Sequence, residues 1–258
     1  IGSEFLYLEH YLTPKSLVIA ISQSGETMDI LESVSLAKAH KSKVMAIVNV
    51  EGSTLWRLSD YQVPQKAGPE VAVCATKTFI AMIANVLLLA HAAAGKIKIA
   101  KKLLIEVIND VEKNILVKKQ LAKVKTLAKK LKKHQHVYII GRGLSYPAAL
   151  EATLKLKEVS YIHSEGFAGG ELKHGVIALI EKGTPCIVFV PNDETKGAIL
   201  SNAMEVKARG GYIIGIAPQN NEIFDFFLPV ADLGPATIIP SVVYVQLLAY
   251  FLAVEKGF

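Results

Sequence analysis

Short apolar runs alternate with segments of helical pattern along this chain, and this alternation limits the possible folds more than any other feature. Strands that alternate with helices are typical of βαβ units, in which parallel strands form a buried sheet flanked by helices. The sequence therefore predicts an α/β protein with mainly parallel sheets in a three-layer αβα arrangement. The predicted strands are Leu17–Ile21, Val44–Val48, Val137–Ile140, Cys186–Val190 and Tyr212–Ile216.

Two of the predicted units repeat each other. From Thr27, which opens a helix, to Asn49, which ends the next strand, is 22 positions, and the same spacing separates Thr195 from Ala217. A constant offset of 168 relates the two halves. We expect two pseudo-equivalent lobes, at 1–98 and 134–258, joined by a basic helical connection at 99–133. By the same offset, the counterpart of the strand before Gly141 would precede Ile1, so the first lobe is expected to lack its leading strand and turn.

Composition favours a reducing, aqueous compartment. Half of the 258 residues are hydrophobic, which suffices for a sizeable core. Cys74 and Cys186 lie far apart without metal-ligand spacing, so neither a disulfide framework nor a metal site is expected. No signal peptide is recognisable, and the most apolar run, Ile80–Ala94, is predicted to be a buried helix too short to span a membrane. We therefore expect a cytoplasmic protein without a membrane partner.

The positive charge of the chain is concentrated in one region. The net charge is +6, and many of the lysines lie between Lys96 and Lys133 with apolar residues between them at helical spacing. This pattern predicts an amphipathic helical segment with a solvated lysine face. Since no aromatic residues are interleaved with the lysines, a nucleic-acid partner is not expected.

A hydroxyl-rich turn follows the first predicted strand. Its sequence is Ser22-Gln23-Ser24-Gly25-Glu26-Thr27, and a helix from Asp29 to His40 is predicted directly after it. Hydroxyls and backbone N–H groups at the amino end of a helix suit a small anion with several acceptor oxygens, such as a phosphate monoester. The alternative is an ordinary helix cap made by Ser24 or Thr27.

In the second half of the chain, ionisable residues that can transfer protons occur on a predicted helix from Pro147 to Tyr161. Glu151, Lys155 and Glu158 share one face of this helix, and Leu154 and Val159 are predicted to meet the core on the opposite face. The three charged residues suit proton transfer, whereas the alternative is a surface ion-pair ladder.

A glycine-rich polar loop is predicted over 164–175. It contains one imidazole, that of His174, which can transfer protons near neutral pH. The alternative for a single histidine in a loop is an exposed side chain without a role.

Three motifs in this order resemble the sugar isomerase (SIS) family and, within it, the isomerase half of the glucosamine-6-phosphate synthases, which are glutamine–fructose-6-phosphate aminotransferases. They are the serine turn at 22–27, the helical stretch Leu154–His163, and Gly170–Gly175. The resemblance covers nearly the whole chain. It implies two SIS lobes and a cytosolic enzyme that converts fructose 6-phosphate towards glucosamine 6-phosphate without a cofactor or metal.

The resemblance also implies roles for individual residues. Glu158 is similar to the base that moves a proton between C1 and C2, Lys155 to its neighbour in the proton relay, and His174 to the residue that assists ring opening from the adjacent subunit. Val73 matches a position whose backbone lines the sugar site. The residues similar to those that bind the phosphate are Ser22, Gln23, Ser24 and Thr27.

Further expectations concern partners. The family carries a glutaminase half as its ammonia source, expected before Ile1, and a tail with a Schiff-base lysine, expected after Phe258. A homodimer is expected because the ring-opening histidine crosses between subunits. Two other functions stay open on the same fold: a stand-alone sugar-phosphate isomerase or glucosamine-6-phosphate deaminase, and a sugar-phosphate sensor.

Overall fold

The computed structural model describes all 258 residues, which form two compact units, Ile1–Ala100 and Lys101–Phe258. The strands are Leu17–Ser22 (β1), Lys43–Val48 (β2), Tyr61–Pro64 (β3), His136–Gly141 (β4), His163–Ala168 (β5), Pro185–Phe189 (β6), Tyr212–Ala217 (β7) and Phe226–Pro229 (β8). The helices are Gly2–Phe5 (α1), Met28–Ala39 (α2), Thr54–Leu58 (α3), Lys77–Ala93 (α4), Ile97–Asp110 (α5), Lys118–Leu131 (α6), Ser145–Ser160 (α7), Lys196–Ala208 (α8) and Ile238–Lys256 (α9). The predicted α/β class and all five predicted strands are confirmed.

The first unit contains a parallel sheet of three strands in the order β1-β2-β3. Leu17 pairs with Lys43 at the start of β1, and Ser22 pairs with Val48 at its end. Helix α2 packs on β1 and β2, and its Val34 and Ala37 are fully buried. The carboxyl ends of all three strands therefore lie at one edge of the sheet, where the serine turn follows β1.

The second unit contains a parallel sheet of five strands in the order β5-β4-β6-β7-β8. Strands β4 and β6 are almost continuously buried, as expected for parallel strands covered on both faces. Helix α7 packs on β4, β5 and α9, while α8 packs on β6 and β7. This packing holds α7 directly beside the interior strand β4 and the edge strand β5.

The two sheets reproduce the repeat seen in the sequence. Strand β6 begins at Pro185, 168 residues after β1 begins at Leu17, and the order β1-β2-β3 corresponds to β6-β7-β8. The counterpart strands differ at one edge: β6 pairs with β4, whereas β1 has no neighbour there, and Leu17 and Ile19 are half exposed. A leading strand beside β1 stays a prediction of the repeat.

Two expectations about apolar helices are wrong. Helix α4, which contains the predicted run as far as Ala93, buries only Thr78 completely, and most of its other residues are partly exposed. The segment with the length and hydropathy to cross a membrane is instead Gly234–Lys256, which contains α9, and 61% of its apolar 18-residue window is buried inside the protein. Because α9 lies against α6 and α7 and is apolar on most sides, its composition is that of a central core helix.

The strand β5 replaces the beginning of the predicted glycine-rich loop. Residues His163–Ala168 pair in parallel with β4, and only Gly169 onwards forms short turns. A Cβ on Gly166 would lie 2.5 Å from Thr153 Oγ1 and 2.8 Å from the Ala149 carbonyl oxygen. The glycine therefore serves the close approach of α7 to the sheet, a use that composition alone does not distinguish from a loop.

Candidate functional site

The serine turn brings three hydroxyl groups together between β1 and α2. Ser22 is buried, and its Oγ accepts a hydrogen bond from the Gly25 N–H at 3.0 Å and lies 3.4 Å from Thr27 Oγ1. Ser24 Oγ accepts from the Glu26 N–H at 3.2 Å. Thr27 occupies the cap position of α2 but makes no side-chain capping bond, and Ser24 bonds within the turn. An ordinary helix cap therefore does not account for these hydroxyls.

The carboxylate of Glu26 forms its hydrogen bond outside the serine turn. Its Oε1 accepts from the Thr54 N–H at 2.8 Å, at the beginning of α3. This backbone hydrogen bond lowers the pKa of Glu26 below its ordinary value. The acid is thus held at α3, where the positive end of that helix also favours it.

Gly25 is required by both its conformation and its surroundings. Its φ is +71°, and a Cβ there would lie 2.1 Å from Ser53 Oγ and 2.9 Å from Val48 Cγ2. Ser53 is itself buried and caps α3. The turn is therefore packed against α3 through a contact that only glycine permits.

We expect Gly25→Ala to lower the free energy of unfolding by about 2–4 kcal/mol, because it combines a left-handed backbone with a steric clash. Gly52→Ala is the matched control: its φ is +79°, and nothing lies within 4 Å of the added Cβ. Gly52→Ala should lower the free energy of unfolding by only about 1 kcal/mol, because it has the unfavourable left-handed backbone but no steric clash. Urea denaturation of both variants measures the difference, and equal losses would contradict the packing argument.

The loop that contains Val73 is attached to the serine turn through Asn49. The Asn49 N–H donates to the Gln23 carbonyl at 3.2 Å, and its side chain bonds Ala67 N and Gly68 O at 3.0 and 2.7 Å. Val73 itself is fully exposed, and no hydrogen bond joins it to the turn. In the sequence, Asn49 stood out only as a marker of the repeat, although an Asn directly after a parallel strand was a signal for this role.

The far end of the same loop is fixed by Glu70. Its Oε2 accepts hydrogen bonds from Thr76 N, Thr78 N and Thr78 Oγ1, at 3.2, 3.1 and 2.6 Å. These bonds lower the pKa of Glu70 against the opposing effect of burial, which is the largest single contribution. The loop is therefore held at both ends, while Val73 between them stays free of side-chain contacts.

Helix α7 holds a lysine between two carboxylates in the second unit. Lys155 is buried with 2% of its surface exposed, and its Nζ lies 2.5 Å from Glu158 Oε2 and 3.5 Å from Glu151 Oε1. The side chain of Glu158 is 33% exposed, whereas that of Glu151 is 10% exposed. A buried cation is unlike the solvated members of a surface ion-pair ladder, so that alternative is not favoured.

The prediction that Leu154 meets the core is wrong. Leu154 is 43% exposed, and the buried face of α7 instead contains Ala152, Leu156 and Lys155. The helix packs on β4, β5 and α9, so these three elements decide which of its faces are buried. Periodicity alone could not indicate that the charged face is partly an interior face.

Burial raises the pKa of the Glu151 carboxyl to about 7, and the charge of Glu158 adds to this rise while Lys155 opposes it. The Oε1 atom of Glu151 is buried and makes no hydrogen bond. A carboxyl of this kind exchanges a proton near neutral pH, which suits a group beside an acid–base pair. Helical spacing in the sequence predicted Glu151 on the shared face but did not indicate that it belongs to the site.

We expect Glu151 to make unfolding stability fall as pH rises from about 4.5 to 7. The folded protein retains this proton to a higher pH than the unfolded chain, whose glutamate keeps its ordinary value of 4.5, so ionisation opposes folding across that interval. A shift of this size corresponds to about 3 kcal/mol. Denaturation curves of Glu151→Gln should lose this decline, and those of Glu181→Gln, an exposed control, should keep it. Parallel curves for all three proteins would contradict the assignment.

His174 lies in an exposed turn after β5. Its backbone N–H donates to the Glu171 carbonyl at 3.0 Å. The neighbouring Leu172 is fully buried and anchors the turn. No hydrogen bond or ion pair joins the imidazole to Lys155 or Glu158. The structure thus brings together two of the three predicted catalytic residues and leaves His174 facing solvent.

The fold and these two arrangements define a parallel α/β protein with a hydroxyl-rich turn after one strand and a buried lysine between two carboxylates on a helix. The family described as SIS domain matches residues 2–92 and 130–225, and the chain belongs to this family.

The relatives of this chain are more specific. It is 40% identical over 267 residues to a glutamine–fructose-6-phosphate aminotransferase (isomerizing) of Caldanaerobacter subterraneus, an alignment that covers 100% of this chain and 44% of the relative. The C-terminal domain of glucosamine-fructose-6-phosphate aminotransferase from Francisella tularensis is similar with a TM-score of 0.81 and 35% identity, covering 94% of this chain and 71% of that one. A glucosamine-6-phosphate deaminase of Thermotoga maritima, with a TM-score of 0.79, 22% identity and coverage of 100% and 76%, shows the shared fold alone. The chain spans less than half the length of the curated relatives it matches.

Proposed function

We propose that this chain is the isomerase domain of a glutamine–fructose-6-phosphate aminotransferase and converts fructose 6-phosphate towards glucosamine 6-phosphate. The observation that carries the proposal is the buried Lys155 paired with Glu158, in a chain that aligns over its whole length with such aminotransferases. A sugar-phosphate sensor needs an anion site but no such acid–base pair, so the cluster on α7 favours an enzyme.

The sugar is held by its phosphate in the serine turn. Ser22, Gln23, Ser24 and Thr27 supply hydroxyl, amide and backbone groups at the amino end of α2, where the helix dipole favours an anion. Such an anchor fixes the position of the sugar carbons for proton transfer. The backbone near Val73 lines the sugar site.

The proton transfer uses Glu158 as the base. It takes a proton from C1 of the imine formed at C2 and leaves an enolamine, and it returns the proton to C2, so that C1 becomes the aldehyde carbon of glucosamine 6-phosphate. Lys155, whose Nζ contacts Glu158, relays protons with the sugar oxygens. His174 assists ring opening, and since its side chain faces solvent in a single chain, we propose that it acts on the site of a second subunit.

The partners follow from the same proposal. The ammonia comes from a glutaminase domain, the protein acts as a homodimer in the cytoplasm, and neither a nucleic acid nor a membrane takes part. Sedimentation equilibrium of the purified chain tests the dimer, and a monomer at all concentrations would contradict the shared site.

The function is tested by dissolving either fructose 6-phosphate with an ammonium salt, which supplies the nitrogen of the imine, or glucosamine 6-phosphate with the protein in heavy water. We expect deuterium to enter at C1 or C2, which proton NMR detects as a loss of signal. Binding without exchange would favour a sensor, whereas release of ammonia from glucosamine 6-phosphate together with exchange would favour a deaminase. No binding of either sugar would contradict the proposed function altogether.

A further inference from the structure

Gln65 connects the ends of two strands beside the serine turn. It follows β3 and is buried with 6% of its surface exposed. Its Nε2 donates to the Ser22 carbonyl at 2.9 Å and to the Ile47 carbonyl at 3.2 Å, and its N–H donates to the Val48 carbonyl at 3.0 Å. One amide side chain therefore joins the carboxyl ends of β1, β2 and β3.

The orientation of this amide is fixed by its neighbours. An oxygen in place of Nε2 would face two carbonyl oxygens, so only the observed orientation forms hydrogen bonds. The Oε1 atom is consequently buried without a hydrogen-bond partner from the protein. An aliphatic side chain could fill the same space without an unpaired acceptor, so the two donated bonds are what distinguish glutamine here.

We propose that Gln65 is a positioning residue for the anion site, one that holds the Ser22–Thr27 turn in its binding conformation. This proposal rests on the proposed function, because it takes the turn to bind the phosphate of the sugar. Ser22 is the link: its carbonyl accepts from Gln65, while its Oγ accepts from the Gly25 N–H and lies beside Thr27 Oγ1. A shift of the Ser22 backbone would therefore displace the hydroxyls and N–H groups aimed at the anion.

Strand β3, which ends just before Gln65, contains a control residue for this proposal. Gln62 lies three residues earlier in β3, and its Nε2 likewise donates to two backbone carbonyls, those of Trp56 at 3.2 Å and Ser59 at 2.8 Å. These bonds join α3 to β3 and do not touch the serine turn. Gln65→Met and Gln62→Met each remove two hydrogen bonds from side chain to backbone with little change of length. Gln62 is exposed whereas Gln65 is buried, so melting temperatures of both variants are measured to separate a general loss of stability from an effect at the turn.

The experiment measures calorimetric binding of fructose 6-phosphate to the wild-type chain and both variants, well below their melting temperatures. Loosening a turn held by one or two neutral hydrogen bonds should raise the Kd of Gln65→Met by about 2–10-fold. Gln62→Met should stay within about twofold of the wild type. Since the phosphate is held equally in ground and transition states, the exchange rate at saturating sugar should not change.

The outcomes separate this proposal from the proposed function. If the wild-type chain binds no sugar phosphate, the function itself fails. If the wild type binds and Gln65→Met binds equally well, or if both variants lose affinity alike, the positioning role is wrong while the phosphate site stands. If Gln65→Met does not fold, Gln65→Asn, which is too short to reach both carbonyls, replaces it with the same expected change in Kd.

Discussion

Replacing Glu158 with Gln is expected to slow hydrogen exchange at C1 and C2 of the sugar by about 10²–10⁴-fold, the usual contribution of a general base. Glutamine keeps the shape of the side chain and an oxygen that can accept from Lys155, but it cannot take a proton at neutral pH. The Kd for fructose 6-phosphate should change by less than about threefold, because the phosphate is held elsewhere. Deuterium incorporation by NMR and calorimetry on the same sample measure both quantities.

The control for this variant is Glu165→Gln on β5. Glu165 is an exposed glutamate of the same unit and has no contact with Lys155, so exchange should proceed as in the wild type. Undiminished exchange in Glu158→Gln would show that another group is the base, and Glu151, whose burial raises its pKa to about 7, would then be the first to examine. A loss of binding in Glu158→Gln would instead show that its side chain holds the sugar.

Replacing Ser24 and Thr27 together with Ala is expected to weaken binding of fructose 6-phosphate by about 100-fold or more. Each hydroxyl that donates to a charged phosphate contributes about 1.5–3 kcal/mol, and a 100-fold change in Kd needs about 2.8 kcal/mol from the two losses together. The stability of the chain should change little, since Thr27 makes no capping bond and only a long contact of 3.4 Å with Ser22 Oγ, and Ser24 accepts only a local bond from the Glu26 N–H. Calorimetry and thermal melting of the double variant test both statements.

The control is the pair Ser35→Ala with Thr13→Ala. Both residues are exposed and lie outside the serine turn, and their hydroxyls bond locally, Ser35 to the Leu31 carbonyl and Thr13 to Ser16. This pair removes the same two kinds of hydroxyl and should leave the Kd unchanged. If the turn variant binds as tightly as this control, the serine turn is not the phosphate site.

The fold follows from the sequence where local pattern and tertiary environment agree. Buried parallel strands require continuous apolar runs, so β1, β2, β4, β6 and β7 are recognisable from composition and spacing. The strands β3 and β8 have only four residues each, and β5 contains the glycine that lets α7 approach it. These three strands are stabilised mainly by their neighbours in the sheet, and local pattern does not reveal such pairing.

The candidate site likewise has some features that the sequence predicts and others that only the tertiary structure reveals. Its serine turn and the shared face of Glu151, Lys155 and Glu158 were predictable, because a strand–turn–helix junction and helical spacing are local properties of a chain. The burial of Lys155, the raised pKa of Glu151 and the contact of Gln65 with Ser22 were not. Each of these properties depends on which distant segment packs against the residue. For Lys155 and Glu151 on α7, these segments are β4, β5 and α9. For Gln65, they are the paired ends of three strands.

The sequence by itself determined the α/β class, the internal repeat and the chemical groups available for an anion and a proton. Only the tertiary structure decided which of these groups lose contact with water and which backbone carbonyls an amide can reach. The physical reason is that hydrophobic spacing is set by neighbours along the chain, whereas desolvation and hydrogen-bond partners are set by neighbours in space.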